Sequence, residues 1–198
     1  KSRFCGRVRG VEGAAKRRGR SQVVGVHGGS HVLKTGGVPG LKYGSSVLGA
    51  PTALLRKVRV LACAVRGKMG RRSAFGRLKL ARYDPTAGMV VDPIVDWARG
   101  RWDTLVCRDR MAAAWKAAMK EVGLSTRAFQ VVRGPCGAAV ASAHRLGWAF
   151  PNFKVFVTRR GEQLDLESVC PATVHLFAER DYEDQQAQDS GLAKKLGL

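Results

Sequence analysis

Two imidazoles stand four residues apart in His27-Gly28-Gly29-Ser30-His31. On a helix that spacing would put both rings on one face, as half of a metal site. Each glycine, however, costs a helix about 1 kcal/mol relative to alanine, so helical ligation there is disfavoured. The five cysteines, Cys5, Cys63, Cys107, Cys136 and Cys170, contain no Cys-x-x-Cys pair. Tetrahedral zinc sites draw on closely spaced ligand pairs, so this pattern argues against one. The count is odd and the context reads as intracellular, which makes reduced thiols the expectation. Cys63 falls inside an apolar helical pattern and reads as core. Cys136 and His144 share one expected helix, as a nucleophile and its base would. Eight residues of helix separate them by about 12 Å of rise, too far for the hydrogen bond that activation needs.

The acids are no more catalytic. Asp92, Asp96, Asp103 and Asp109 are interspersed with Arg99, Arg101, Arg108 and Arg110. Interleaved signs predict surface ion pairing rather than a two-metal carboxylate cluster. Tyr83-Asp84-Pro85 and Asp181-Tyr182-Glu183-Asp184 are only superficially like polymerase metal motifs. Neither a Gly-x-x-x-x-Gly-Lys-Ser/Thr loop nor a strand-bound Gly-x-Gly-x-x-Gly is present. No catalytic activity, cofactor or metal is expected of this chain, and a cysteine-dependent enzyme is the weakest of the readings.

Charge is the strongest signal. The 198 residues carry 35 Lys+Arg against 15 Asp+Glu, a formal net charge of +20. Residues 1–82 hold 20 of the cations and a single acid, Glu12, whereas residues 83–198 are close to neutral. Cations in such density neutralise phosphates and release counterions, giving sequence-independent binding that weakens steeply with salt. The residues expected to contact nucleic-acid backbone are Lys16, Arg17, Arg18, Arg20, Arg56, Lys57, Arg59, Lys68, Arg71 and Arg72. Few rings are interspersed with them, so a base-stacking platform is not expected. The longest uncharged stretches, 21–33 and 43–55, are 13 residues each, short of the ~18 a membrane helix needs. With no apolar signal region, a nuclear or cytoplasmic location and no membrane partner are expected.

These residues need elements to hold them. Half of the 24 glycines fall in residues 1–50, where Phe4 and Tyr43 are the only aromatics. This composition predicts a flexible basic arm over 1–46. A helix is expected over 51–65, with Leu54, Val58, Leu61 and Val65 as its apolar stripe and proline at its first turn. A short helix is expected over 73–83. Asp92-Pro93 reads as a cap and first turn of a helix running toward 106. Further helices are expected over 109–122 and from Gly134-Pro135 to a stop at Gly147, with Trp148 folding back on the last turn. Residues 153–158 and 163–166 read as a hairpin, which must pack on helices to persist. A last helix runs from Ser168 or Pro171 to about Arg180. The expected fold is thus mainly α with one small β-hairpin: a basic arm, a helical domain over 47–180, and a polar tail over 181–198.

The blocks Val132-Arg133-Gly134-Pro135-Cys136-Gly137-Ala138, Arg145-Leu146-Gly147-Trp148, Arg160-Gly161-Glu162-Gln163-Leu164 and Ser168-Val169-Cys170-Pro171-Ala172 carry a resemblance. Together they resemble the segment that follows the reverse transcriptase in non-LTR-type retroelement polyproteins of protists. Those segments show a Gly-Pro helix start, an Arg-x-Gly-Trp helix end, a Gly-centred hairpin and a Ser-Pro-like start to the next helix. Cys170 stands here where serine usually precedes the proline. The resemblance covers about residues 47–180 and implies a non-catalytic connector whose partners are nucleic acid and the polymerase and nuclease domains of the same polyprotein. It implies no catalytic residue, and a chain without those motifs is expected to be a fragment or a decayed copy. The alternative reading is a basic structural protein of a ribonucleoprotein particle such as an organellar ribosome.

Overall fold

A computed structural model describes residues 36–65, 84–103, 107–123, 125 and 128–189. The chain is mostly helical, with one small antiparallel sheet. Its elements are α1 (Val38–Lys42), α2 (Ser45–Leu48), α3 (Thr52–Val65), α4 (Ala87–Trp102), α5 (Arg108–Gly123), α6 (Ala128–Val131), α7 (Gly134–Arg145), β1 (Val155–Val157), β2 (Gln163–Asp165) and α8 (Pro171–Asp189). Residues 36–46, read from composition as part of the arm, thus carry α1 and the first two residues of α2. The helix expected over 73–83 lies outside the described residues.

The chain divides into two compact units. The first includes α1, α3 and residues 84–86. Within α3, Leu54, Leu55, Val58, Ala62 and Cys63 are buried. Of the stripe inferred from sequence, Leu54 and Val58 are buried and Leu61 half-buried, Leu55, Ala62 and Cys63 add to it, and the Val65 side chain lies outside what the structure describes. Pro51 precedes the first turn, where a missing N–H costs nothing.

The second unit comprises residues 45–51 and 87–189. Its centre is α7, whose residues from Cys136 to Ala143 are all buried. Most are glycine, alanine or serine, and short side chains let α2, α4 and α5 all pack against this one helix. The N-cap of α7 is Arg133, in an extended conformation, and Pro135 stands in its first turn. At the other end, Gly147 (φ +74°) lets the chain reverse. The Gly147 N–H then reaches His144 O at 3.0 Å and the Trp148 N–H reaches Ala143 O at 3.0 Å. This is the Schellman closure expected at that position.

Trp148 is buried by the reversal and meets the hairpin. Phe156 pairs with Leu164 in the β1–β2 register, and both face inward. The Phe156 ring lies 5.6 Å from Trp115, 5.9 Å from Trp148 and 6.2 Å from Phe150. Trp115 in turn lies 5.0 Å from Trp97. These rings, from α4, α5, the α7 exit and β1, give the two-stranded sheet the apolar backing it lacks alone. A third arm is added where Ala149 pairs with Val157 through N–H···O bonds of 2.9 and 2.7 Å.

Two boundaries differ from expectation. The helix placed at Asp92-Pro93 starts at Ala87, leaving Pro93 in its interior. Pro93 removes one backbone bond, but Met89, Val90, Val91 and Ile94 around it are fully buried, and that burial outweighs the local cost. The last helix does not stop near Arg180: α8 continues to Asp189. Residues 181–189, expected as tail, bring Asp181 and Tyr182 into the interior. Val174, Ala178, Asp181 and Tyr182 form one buried stripe at helical spacing.

Candidate nucleic-acid interface

Of the ten cations expected to meet a phosphate backbone, Arg56, Lys57 and Arg59 on α3 are described. Lys16, Arg17, Arg18, Arg20, Lys68, Arg71 and Arg72 lie outside the described residues. Arg56 and Lys57 are exposed. Arg59 is engaged differently: its Nε and Nη2 donate to Asp84 Oδ2 at 3.3 and 3.1 Å, and Nε also donates to Thr86 Oγ1 at 3.1 Å. Only 15% of the Arg59 side chain is exposed. Asp84 Oδ1 meanwhile accepts from the Thr86 N–H at 2.9 Å and from its hydroxyl at 2.6 Å. The aspartate, singled out in sequence beside Pro85, therefore closes an Asx-type turn and anchors Arg59. Nothing in the sequence around either residue signals the pair, because 25 positions separate them.

α3 contains no acid along its length. Its surface outside the buried stripe holds Thr52, Ala53, Arg56, Lys57, Val60 and Ala64, all exposed. That face offers two cations, small side chains and no ring. It can meet a phosphate backbone electrostatically, and it has no group for stacking on bases.

Within the second unit, several charges pair with one another. Glu167 gathers three cations: it pairs with the buried Arg101, with Lys154 at 3.2 Å and with Arg108 at 3.8 Å. These contacts, the Lys154 hydrogen bond foremost, hold its carboxyl below the usual range. Glu162 accepts from Arg180 Nη1 at 2.7 Å and from Thr158 Oγ1 at 2.5 Å. Those two bonds pull its pKa down to about 2. Asp96 pairs with Arg99 at 3.1 Å, as the interleaved signs suggested. Its other oxygen accepts from Ser46 at 2.5 Å. Arg101, expected at the surface, is buried instead, its guanidinium 4.9 Å from the Phe153 ring centroid. Asp181 is buried as well. It accepts from Trp148 Nε1 at 2.8 Å and from Arg180 Nε at 3.0 Å, so within the Asp181-Tyr182-Glu183-Asp184 run the first two residues pack inward while Glu183 stays exposed.

Cys63 and Cys136 are buried, Cys107 and Cys170 exposed. Burial pushes the Cys136 thiol up to about 12, the reverse of what a nucleophile needs. His144, eight residues along α7, sets its ring edge-on to Phe150 at 4.8 Å. Burial lowers its pKa. Among the described residues, no three His, Cys, Asp or Glu side chains are placed to hold a metal ion, and no helix is long and apolar enough to cross a membrane. Comparison with known protein families, curated proteins and solved structures gave no match to this chain.

Proposed function

We propose that this chain is a non-catalytic connector of a retroelement-derived reverse transcriptase polyprotein, contacting nucleic-acid backbone without sequence preference through its basic N-terminal part. The observation that carries the reading is the partition of charge: 20 of 35 cations and one acid lie in residues 1–82, followed by a nearly neutral remainder. Support from α3 is its acid-free sequence, with Arg56 and Lys57 exposed. The connector part of the proposal rests on the ordered blocks from the Gly134-Pro135 helix start, through Gly147-Trp148 and the hairpin, to Pro171.

The test is binding of single- and double-stranded nucleic acid across a salt series, with and without residues 1–35, a cut that spares α1 and α2. The expected result is an affinity that falls by about half a log unit per phosphate contact between 50 and 200 mM salt, and a shallower slope in the truncated chain. An affinity indifferent to salt would overturn the proposal. Genomic copies flanked by polymerase-coding sequence are expected. A single-copy gene whose product co-sediments with one defined RNA particle would favour a ribonucleoprotein component instead.

A further inference from the structure

The exposed face of α3 has an order that goes beyond net charge. Successive residues on a helix are rotated by about 100°. With Arg56 as origin, Val60, Ala53 and Ala64 fall at about 40°, 60° and 80°, and Lys57 at about 100°. The two exposed cations thus flank a strip of small side chains. Val60, the largest of the strip, is 41% exposed. Leu54, Val58, Ala62 and Leu55 occupy the opposite side, at about 160° to 260°, and all are buried, as is Cys63 at about 340°, which bounds the exposed strip on the Arg56 side. Arg59, at about 300°, is held by Asp84 and Thr86.

We infer that α3 seats along the major groove of a B-form DNA duplex, with Arg56 and Lys57 on the phosphates to either side. This rests on the proposed backbone binding and names the form of nucleic acid that this face takes. A narrow strip between two cations matches a groove between two phosphate rows. The major groove of B-DNA is about 12 Å wide and admits a helix of 10–12 Å diameter. The deep, narrow major groove of A-form RNA does not. Single strands are held by rings on which bases stack, and this face has none. Ala53, Val60 and Ala64 carry no hydrogen-bonding side-chain group, so the seating reads no base edge beyond contact with thymine methyls and stays sequence-tolerant.

The experiment compares three probes on the full chain: a short DNA duplex, one of its strands, and the RNA duplex of the same sequence. Arg56→Ala with Lys57→Ala is expected to lower the salt slope by about two on the DNA duplex alone. Ala53→Phe keeps the charge but thickens the strip, and is expected to weaken DNA-duplex binding by about tenfold while leaving the other probes unchanged. Ala64→Phe, a full three turns further along, repeats the test should Ala53→Phe lose helicity by circular dichroism. Equal effects on all three probes, or none on any, overturn the groove seating and leave salt-dependent polyanion binding standing. A native chain whose binding to every probe ignores salt overturns the broader proposal as well.

Discussion

Asp181 is an acid inside a helix face that is otherwise apolar, and its partners explain why it is tolerated. One carboxylate oxygen accepts from Trp148 Nε1, and the other from Arg180. A buried carboxylate without such donors would be strongly destabilising. Trp148→Phe keeps most of the ring packing and removes one bond to a buried charge. Its expected cost is about 1.5–3 kcal/mol, read as a lower urea midpoint. The neighbouring Glu162 gives a pH-dependent counterpart. Its ordinary pKa of 4.5 falls to about 2 in the folded chain, chiefly through its bonds to Arg180 and Thr158. A depressed folded pKa means the folded state binds fewer protons than the unfolded one. The stabilisation is therefore complete above about 4.5 and is lost as pH falls toward 2. Glu162→Gln should flatten that part of the urea-midpoint profile, and an unchanged profile would assign the acid sensitivity elsewhere. None of these roles was legible beforehand. Trp148 lies 33 positions from Asp181 and Glu162 lies 18 from Arg180, so only the fold brings them together.

The helices divide by whether their ends are written locally. The exit of α7 was legible because a Schellman closure needs only one glycine and the residue after it, here Gly147 and Trp148. The hairpin was legible for the same reason: alternation in 155–157, with Gly161 at φ +86° in the connection. The start of α4 misled because Asp92-Pro93 is a good local cap signal, overridden by burial of Met89, Val90 and Val91 one turn earlier. The end of α8 reads nine residues too early from sequence because its stripe passes through Asp181, which counts as polar until its partner is known. Two glycines test how far local backbone demands hold these elements. Gly147→Ala adds a Cβ at φ +74° and meets only the Arg159 side chain, 3.9 Å away. Its cost is expected to be that of left-handed backbone, about 1–2 kcal/mol. Gly49→Ala, at φ +65°, would also place its Cβ 2.8 Å from Phe129 Cδ1. That ring lies 4.0 Å from the Arg145 guanidinium, which in turn donates to Ala50 O at 2.6 Å. Gly49→Ala should therefore be the more damaging in thermal unfolding, and the reverse order would mean that Phe129 moves aside freely.

Charge organises the whole chain differently from its two units. Residues 87–189 carry 13 Lys/Arg and 13 Asp/Glu, and the close pairs on Glu162 and Glu167 consume several of them internally. Almost all of the net +20 therefore belongs to sequence before this unit. The partition could be counted from sequence, whereas the withdrawal of Arg59 into a pair with Asp84 could not, since it depends on where the chain returns after 25 residues. One salt titration can separate the two behaviours. All four tryptophans, Trp97, Trp102, Trp115 and Trp148, lie within residues 87–189, so their fluorescence reports the unfolding of that unit alone. An electroneutral unit has little self-repulsion to screen, and its partly exposed ion pairs are each worth at most about 1 kcal/mol. Its fluorescence midpoint should move by no more than about 4–8 °C between 50 and 500 mM salt, the shift that ~1 kcal/mol produces in a domain of this size. Over the same range, nucleic-acid affinity should fall by orders of magnitude, because each displaced phosphate contact weakens binding independently of the fold. A midpoint that climbs steeply as binding weakens would mean that screening the basic sequence also stabilises the tryptophan-bearing unit, and the separation of binding charge from fold stability would fail.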